Sequence, residues 1–301
     1  MENQTEKKKN KTPIILIIIV LAIIVIGVIC VAFFSKSTEN DKESNTRTSD
    51  EDRNTEDESD EDNEDKDKNH EDKTSDEPEY ITFGTYEQDG DLDNGPEPIE
   101  WVVLASDENG TLLVSRYILD CQSYNGFTKE VTWETCSLRT WLNEDFYNTA
   151  FTPDEQAKIN TTTVINADNS YYGTSGGNDT EDKIFCLSID EVLKYYSFNT
   201  YDEEEGYGHS QQLITPVTQY AKDQGIAYLE IKEDGDYKWL KDEGYTEECI
   251  GIEAGLWWLR SPSSDNTGAN EVNNYGATGP AEARNNVGYK GGVRPAMYIT
   301  Q

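Results

Sequence analysis

Apolar residues fall along the chain in three regimes. From Ile14 to Phe34 they form one uncharged run, IILIIIVLAIIVIGVICVAFF. Between residues 35 and 79 they nearly vanish, and no aromatic ring occurs. From Tyr80 onward they alternate with polar residues in short stretches separated by turn signals. The first run, 21 residues long, spans about 30 Å as a helix, the thickness of a bilayer's hydrocarbon core. It has no polar face, so a transmembrane helix is expected within residues 13–34. A cleavable signal peptide fits less well. The run is long and β-branched, and it ends in Val31-Ala32-Phe33-Phe34 without small residues at a cleavage site. Ile29 stands before Cys30 where a lipoprotein signal needs a small residue, so an uncleaved signal-anchor is expected.

Beyond Tyr80, strands are predicted at 80–87, 99–106, 111–118, 182–188, 226–232, 257–261, 269–276 and 292–299. Asp107-Glu108-Asn109-Gly110 joins the second and third as a hairpin. Helices are fewer. Leu138, Trp141, Leu142 and Phe146 recur at helical spacing behind a cap at Thr135 or Ser137. Thr152-Pro153-Asp154-Glu155 and Ser188-Ile189-Asp190-Glu191 carry start signals, the first with proline at its first turn. Thr215-Pro216 opens another helix, ended by Gly225. Several short strands with short helices inserted among them define an α+β class, without βαβ periodicity.

Charge sharpens this division. The chain carries a formal −35 over 301 residues, and 35% of it is hydrophobic, values that suggest disorder when averaged. By segment, residues 1–12 carry +2, 35–79 carry −13, and 80–301 carry −24 from 38 acidic and 14 basic side chains. The basic tip before the apolar run and the acid after it predict a single-pass protein of the cell membrane, its N-terminus cytoplasmic and its C-terminal domain extracellular. The expected lipid partner is the bilayer, through residues 14–34. Residues 35–79 read as a disordered acidic linker, self-repelling and with a reach of about 40 Å or more. Residues 80–301 hold all six tryptophans and are long enough for a core of their own. Within them, the acidic 201–250 stretch reads as insertions and solvent-facing turns. Nucleic acid is excluded as a partner, because no basic footprint exists to meet phosphates.

Candidate chemistry is sparse. Asp89, Asp91 and Asp93 stand at positions 1, 3 and 5 of a calcium-loop pattern that closes on Glu100 at position 12. The glycine is one place late and no helices flank the loop. Ca2+ is the one cofactor with any support, and an acidic β-turn is the competing reading. His70 lies in the linker. His209 is the only histidine beyond it, with no nucleophile elbow to make a triad. Gly173, Gly176 and Gly177 lack the strand-to-helix context of a phosphate loop. Carboxylates are too abundant to single out a hydrolytic pair. Of the cysteines beyond the apolar run, Cys121 and Cys136 form the most economical disulfide; Cys186 reads as a buried thiol, and no CxxC occurs.

The tail WWLRSPSSDNTGANEVNNYGATGPAEARNNVGYKGGVRPAMYI carries the sharpest pattern. Strand alternation sends Trp257 and Trp258 to opposite faces, so the two are not both expected in the core. With Arg260, Asn273, Asn274 and Arg294 they make a candidate ligand-binding surface. The competing reading gives the two arginines structural hydrogen bonds and ion pairs.

The stretches 82–104, 112–125, 132–151 and 176–196, together with WWLRSP and GGVRPAMYI, resemble the DUF6273 family of bacterial domains. That resemblance covers most of residues 80–300 and implies no particular activity. The tail is also similar to C-type-lectin-like and sulfatase-modifying domains. This second similarity implies a lectin-like plan with Trp258, Arg260, Gly292, Val293 and Arg294 in a fold-defining sheet. The cysteines of a formylglycine-generating site are not present in the tail.

The expected function is therefore a bacterial membrane-anchored domain that binds envelope carbohydrate or protein. An extracellular carboxylate-dependent hydrolase and a structural or sensory ectodomain are the alternatives.

Overall fold

The computed structural model describes residues 78–281 and 284–300. The predicted membrane helix and nearly all of the acidic linker lie outside them. Among the described residues no helix is long and apolar enough to cross a membrane.

The first eight strands are β1 (Tyr80–Tyr86), β2 (Glu97–Asp107), β3 (Gly110–Ser115), β4 (Asp120–Ser123), β5 (Thr162–Val164), β6 (Thr180–Asp182), β7 (Thr200–Asp202) and β8 (Tyr207–His209). The remaining eight are β9 (Tyr228–Glu230), β10 (Glu253–Gly255), β11 (Trp257–Pro262), β12 (Gly268–Val272), β13 (Ala277–Thr278), β14 (Arg284–Asn286), β15 (Lys290–Val293) and β16 (Ala296–Ile299). Two sheets dominate. One runs β1-β2-β3-β16 and is antiparallel throughout; the other runs β14-β12-β11-β15-β4, with β11 and β15 parallel. Short helices sit between the strands, so the class is α+β, with more sheet than helix.

The β2–β3 hairpin forms where the sequence places it, with Asp107 opposite Gly110. Gly110 has φ +119°, and a Cβ there would lie 2.2 Å from the Ile299 carbonyl oxygen on β16. Glycine is required on both counts. Thr152 and Ser188 each cap a helix through a capping box, over Pro153–Gln156 and Ile189–Tyr195. Two helix starts differ from expectation. Helix Ser137–Trp141 is capped by Cys136, whose Sγ accepts from Arg139 N. Helix Gln219–Asp223 starts behind Thr218, because Pro216 and Val217 are held first by strand-like bridges to Ala254 and Ile118.

The predicted strand 292–299 is two strands in two sheets. Pro295 has no N–H to give a ladder. The chain leaves β15 at Val293, passes Arg294 and Pro295, and enters the other sheet as β16. The predicted strand 182–188 is likewise mostly irregular, joined to β16 only through Phe185 and Ala296.

Trp257 and Trp258 are both fully buried, which corrects the expectation that one would be exposed. β11 is an inner strand covered on both faces. Trp257 Nε1 donates to Leu213 O, while Trp258 Nε1 donates to Gln122 O and the ring meets Tyr124 edge-on at 5.6 Å. Gly291 makes room for Trp258, since a Cβ there would lie 2.7 Å from Nε1. Both sheets feed one core containing Trp101, Leu113, Trp133, Trp257 and Trp258. The acidic 201–250 region is more than turns. Ile231, Tyr237, Leu240, Tyr245 and Cys249 pack with Ile214 and Ala254 into a second, small core.

Candidate functional site

Two concave sites open on the domain. One, a groove of about 670 Å³, lies between Tyr80, Val102, Val103, Leu104 and Arg116 beside the first sheet and the loop that follows helix Ile189–Tyr195. Tyr80 stands opposite Val102 across the β1–β2 ladder. Arg116 follows β3, ion-paired with Glu100 at 2.9 Å and stacked over the Tyr80 ring at 4.7 Å. Tyr195, Tyr196 and Phe198 supply aromatic surface on the other wall.

The rim is knitted by side-chain amides. Asn199 Oδ1 accepts from Gln211 N, and Asn199 Nδ2 donates to Gly244 O. Gln211 Oε1 accepts from Thr246 N and Gln212 Oε1 from Ser197 N. Three loops distant in sequence are thereby held in fixed register around the groove.

Arg294 contributes to its floor. Its Nε donates to Ser115 O at 2.7 Å, and the guanidinium lies 4.9 Å from the Trp257 ring centre and 5.9 Å from that of Tyr196. Burial raises the Tyr196 pKa, and the nearby positive charge of Arg294 opposes that shift.

The second cavity, about 660 Å³, is lined by Asp107, Asn160, Thr163, Asp190, Glu191 and Lys194 among others. Its carboxylates are partly committed. Glu191 accepts from Ser188 N and from both terminal nitrogens of Arg260.

Of the six residues expected to bind ligand, only Arg294 lines either cavity. Trp257, Trp258 and Arg260 are buried. Arg260 takes the structural reading: besides Glu191 it donates to Cys186 O and Ile165 O. Asn273 folds its own turn by accepting from Tyr275 N and Ala277 N, and Asn274 donates to Ala254 O. The sheet-forming role of the tail wins because its polar groups are consumed by backbone.

The calcium-loop residues are not brought together either. Glu100 sits on β2 with Arg116, and Asp91 and Asp93 are exposed in the turn. Asp89 instead approaches Glu87 and Glu97, the three offering oxygens within 4.8 Å of one another. These carboxylates accept backbone N–H groups of the same turn, from Gly90, Asp91 and Gln88. The arrangement is that of an acidic β-turn.

Cys121 and Cys136 are not joined. All four described cysteines are free, buried thiols. Cys136 Sγ is turned to its own helix start, accepting from Arg139 N and donating to Trp133 O. Cys121 lies on β4 opposite Gly292. Burial pushes Cys121 up to about 11 and Cys136 to about 12.

Arg116, Tyr195, Phe198, Gln211 and Gln212 have no motif to announce them as site residues. The nearest signal is the ring cluster Tyr195, Tyr196 and Phe198, crowded at the end of one short helix.

These features define a mixed α+β domain with two antiparallel-rich sheets and a groove against one of them. Residues 108–301 match the DUF6273 family, described as a domain of unknown function. The chain belongs to that family. No curated protein and no solved structure matches it.

Proposed function

We propose that this is a bacterial cell-surface binding module that takes envelope carbohydrate in the groove bounded by Tyr80, Phe198 and Arg116. The predicted helix at 14–34 holds it in the membrane, and the acidic linker carries it outward. The observation that carries the reading is the groove itself. It combines aromatic faces with a rim locked by amide hydrogen bonds, at a volume of about 670 Å³. Rings offer flat apolar surface to the C–H faces of sugars, and a fixed rim lowers the ordering cost of binding. A protein partner would want roughly 800 Å² of continuous surface. Of the exposed large apolar residues, Leu92 and Tyr171 belong to segments apart in sequence from Phe127 and Tyr289, whose loops meet through Thr128 and Asn286.

Binding is favoured over hydrolysis because Glu248 is the one carboxylate among the groove's lining residues, whereas glycoside hydrolysis uses two. A glycan array probed with the full chain tests the proposal. Binding to envelope polysaccharides, weakened at least about tenfold by Phe198→Ala, is expected. A blank array at high protein concentration overturns it.

A further inference from the structure

The two buried arginines are compensated differently. Arg260 meets a carboxylate with both terminal nitrogens. Arg294, 3% exposed, belongs to no ion pair among the described residues. Its Nη1 has no hydrogen-bond partner among them. Contact with the Trp257 and Tyr196 rings offsets part of the cost of burying this charge, but a guanidinium without a counter-charge remains expensive.

Its surroundings point the same way. Residues 80–301 carry 38 acids against 14 bases, yet Glu248 is the one carboxylate lining the groove beside Arg116 and Arg294. Glu100, outside the lining, pairs with Arg116 and leaves Arg294 as the arginine without a counter-charge. The other cavity follows the bulk trend, with Asp107, Asp190 and Glu191 against Lys194. Arg294 donates to the carbonyl of Ser115, so the two groove arginines flank the same end of β3. Arg116 is reachable, with 40% of its side chain exposed, and Glu100 and Tyr80 hold it in place.

We propose that the groove selects a sugar polymer bearing an anionic group, which Arg116 engages at the rim and Arg294 at the floor. This inference rests on the carbohydrate reading above. A carboxylate on a uronic acid and a phosphodiester in a sugar-phosphate polymer share the chemistry that a guanidinium recognises through paired N–H donors. The domain's net negative charge does not forbid this. At physiological ionic strength, exposed charges beyond about 8 Å are largely screened, while a contact made within the groove is screened less.

The test is calorimetric titration of the full chain with three probes of equal length: oligogalacturonate, a neutral galacto-oligosaccharide and a galactosyl-phosphate oligomer. At least one anionic probe is expected to bind about tenfold or more tighter than the neutral one, and which of them binds tells carboxylate from phosphate. That preference is expected to shrink on raising salt from about 50 to 500 mM and in Arg116→Met, whose partly exposed ion pair contributes little to stability. Arg294→Met, where it folds, is expected to abolish the preference. Equal affinity for neutral and anionic probes, or an Arg116→Met variant with unchanged affinities, overturns the anionic selectivity and leaves carbohydrate binding standing. Failure of all three probes, together with a blank glycan array, overturns the carbohydrate reading itself.

Discussion

Arg260 and Glu191 form a forked ion pair, with Nη1 to Oε2 at 2.5 Å and Nη2 to Oε1 at 2.9 Å. The pair ties the central strand β11 to the start of helix Ile189–Tyr195. The same Oε2 accepts from Ser188 N to close the capping box. Glu191 therefore serves helix initiation and sheet docking with one carboxylate.

Glu191→Gln keeps an oxygen for the Ser188 N–H but strands the buried guanidinium. Removing one partner of a buried pair typically costs roughly 3–5 kcal/mol. Glu191 is a quarter exposed, so a loss of about 2–3 kcal/mol in urea unfolding is expected. Arg260→Met with Glu191→Leu is expected to cost less than the two single changes summed. Additive single effects would show that the pair is not coupled.

The thiols provide a direct check on the core. Cys121, Cys136, Cys186 and Cys249 are buried and free, and burial raises the pKa of each. Only the thiolate reacts readily with alkylating agents. At pH 8 the native chain is expected to leave all four unmodified, and denaturant to make all four reactive, as read by peptide mass mapping. A disulfide between Cys121 and Cys136 contradicts the packing around Cys136.

Glu271, on β12 opposite Trp258, gives a pH signature. Burial raises its pKa to about 7, and the Asn285 side chain opposes this. An unfolded glutamate titrates near 4.3, so the unfolded chain releases the proton first as pH rises. The stability this group contributes is present below about pH 4 and is lost progressively up to about pH 7. The difference in stability between Glu271→Gln and the parent chain is expected to grow in the variant's favour by roughly 2–3 kcal/mol across that window. A difference that stays flat from pH 4 to 8 would mean Glu271 is hydrated.

Elements with local signals are legible in the sequence. The Asp107–Gly110 hairpin and the capping boxes at Thr152 and Ser188 need only neighbours a few residues apart. The fate of the tail is not local. Whether Trp257 and Trp258 are both buried depends on Tyr124 meeting the Trp258 ring on one side of the sheet and on the 213 region receiving Trp257 on the other. The division of 292–299 at Pro295 depends on two sheets formed by distant strands. The groove is harder still, since its lining comes from the 78–80, 102–104, 116, 195–199, 211–216 and 246–252 segments and from Arg294. Polar pattern misled in one consistent way. Asn273, Asn274 and Arg260 look available for ligand in sequence, but they are spent on backbone groups and one carboxylate.

Topology is the last quantity open to a clean test. The lysines at 7, 8, 9 and 11 precede the apolar run, and the −13 segment follows it, a pattern from which the positive-inside rule predicts everything after Phe34 to be outside the cell. Residues 35–79 carry no aromatic ring and no apolar periodicity, a composition from which an accessible linker is predicted, whereas the β1–β2–β3–β16 sheet begins at Tyr80. Protease added to intact cells is expected to cut within 35–79 and release a fragment that resists further digestion, with its new N-terminus ahead of Tyr80. Full protection in intact cells, with cleavage only after lysis, would put the domain on the cytoplasmic side. Cutting inside 80–301 as readily as inside 35–79 would mean that the two sheets do not close over their shared core.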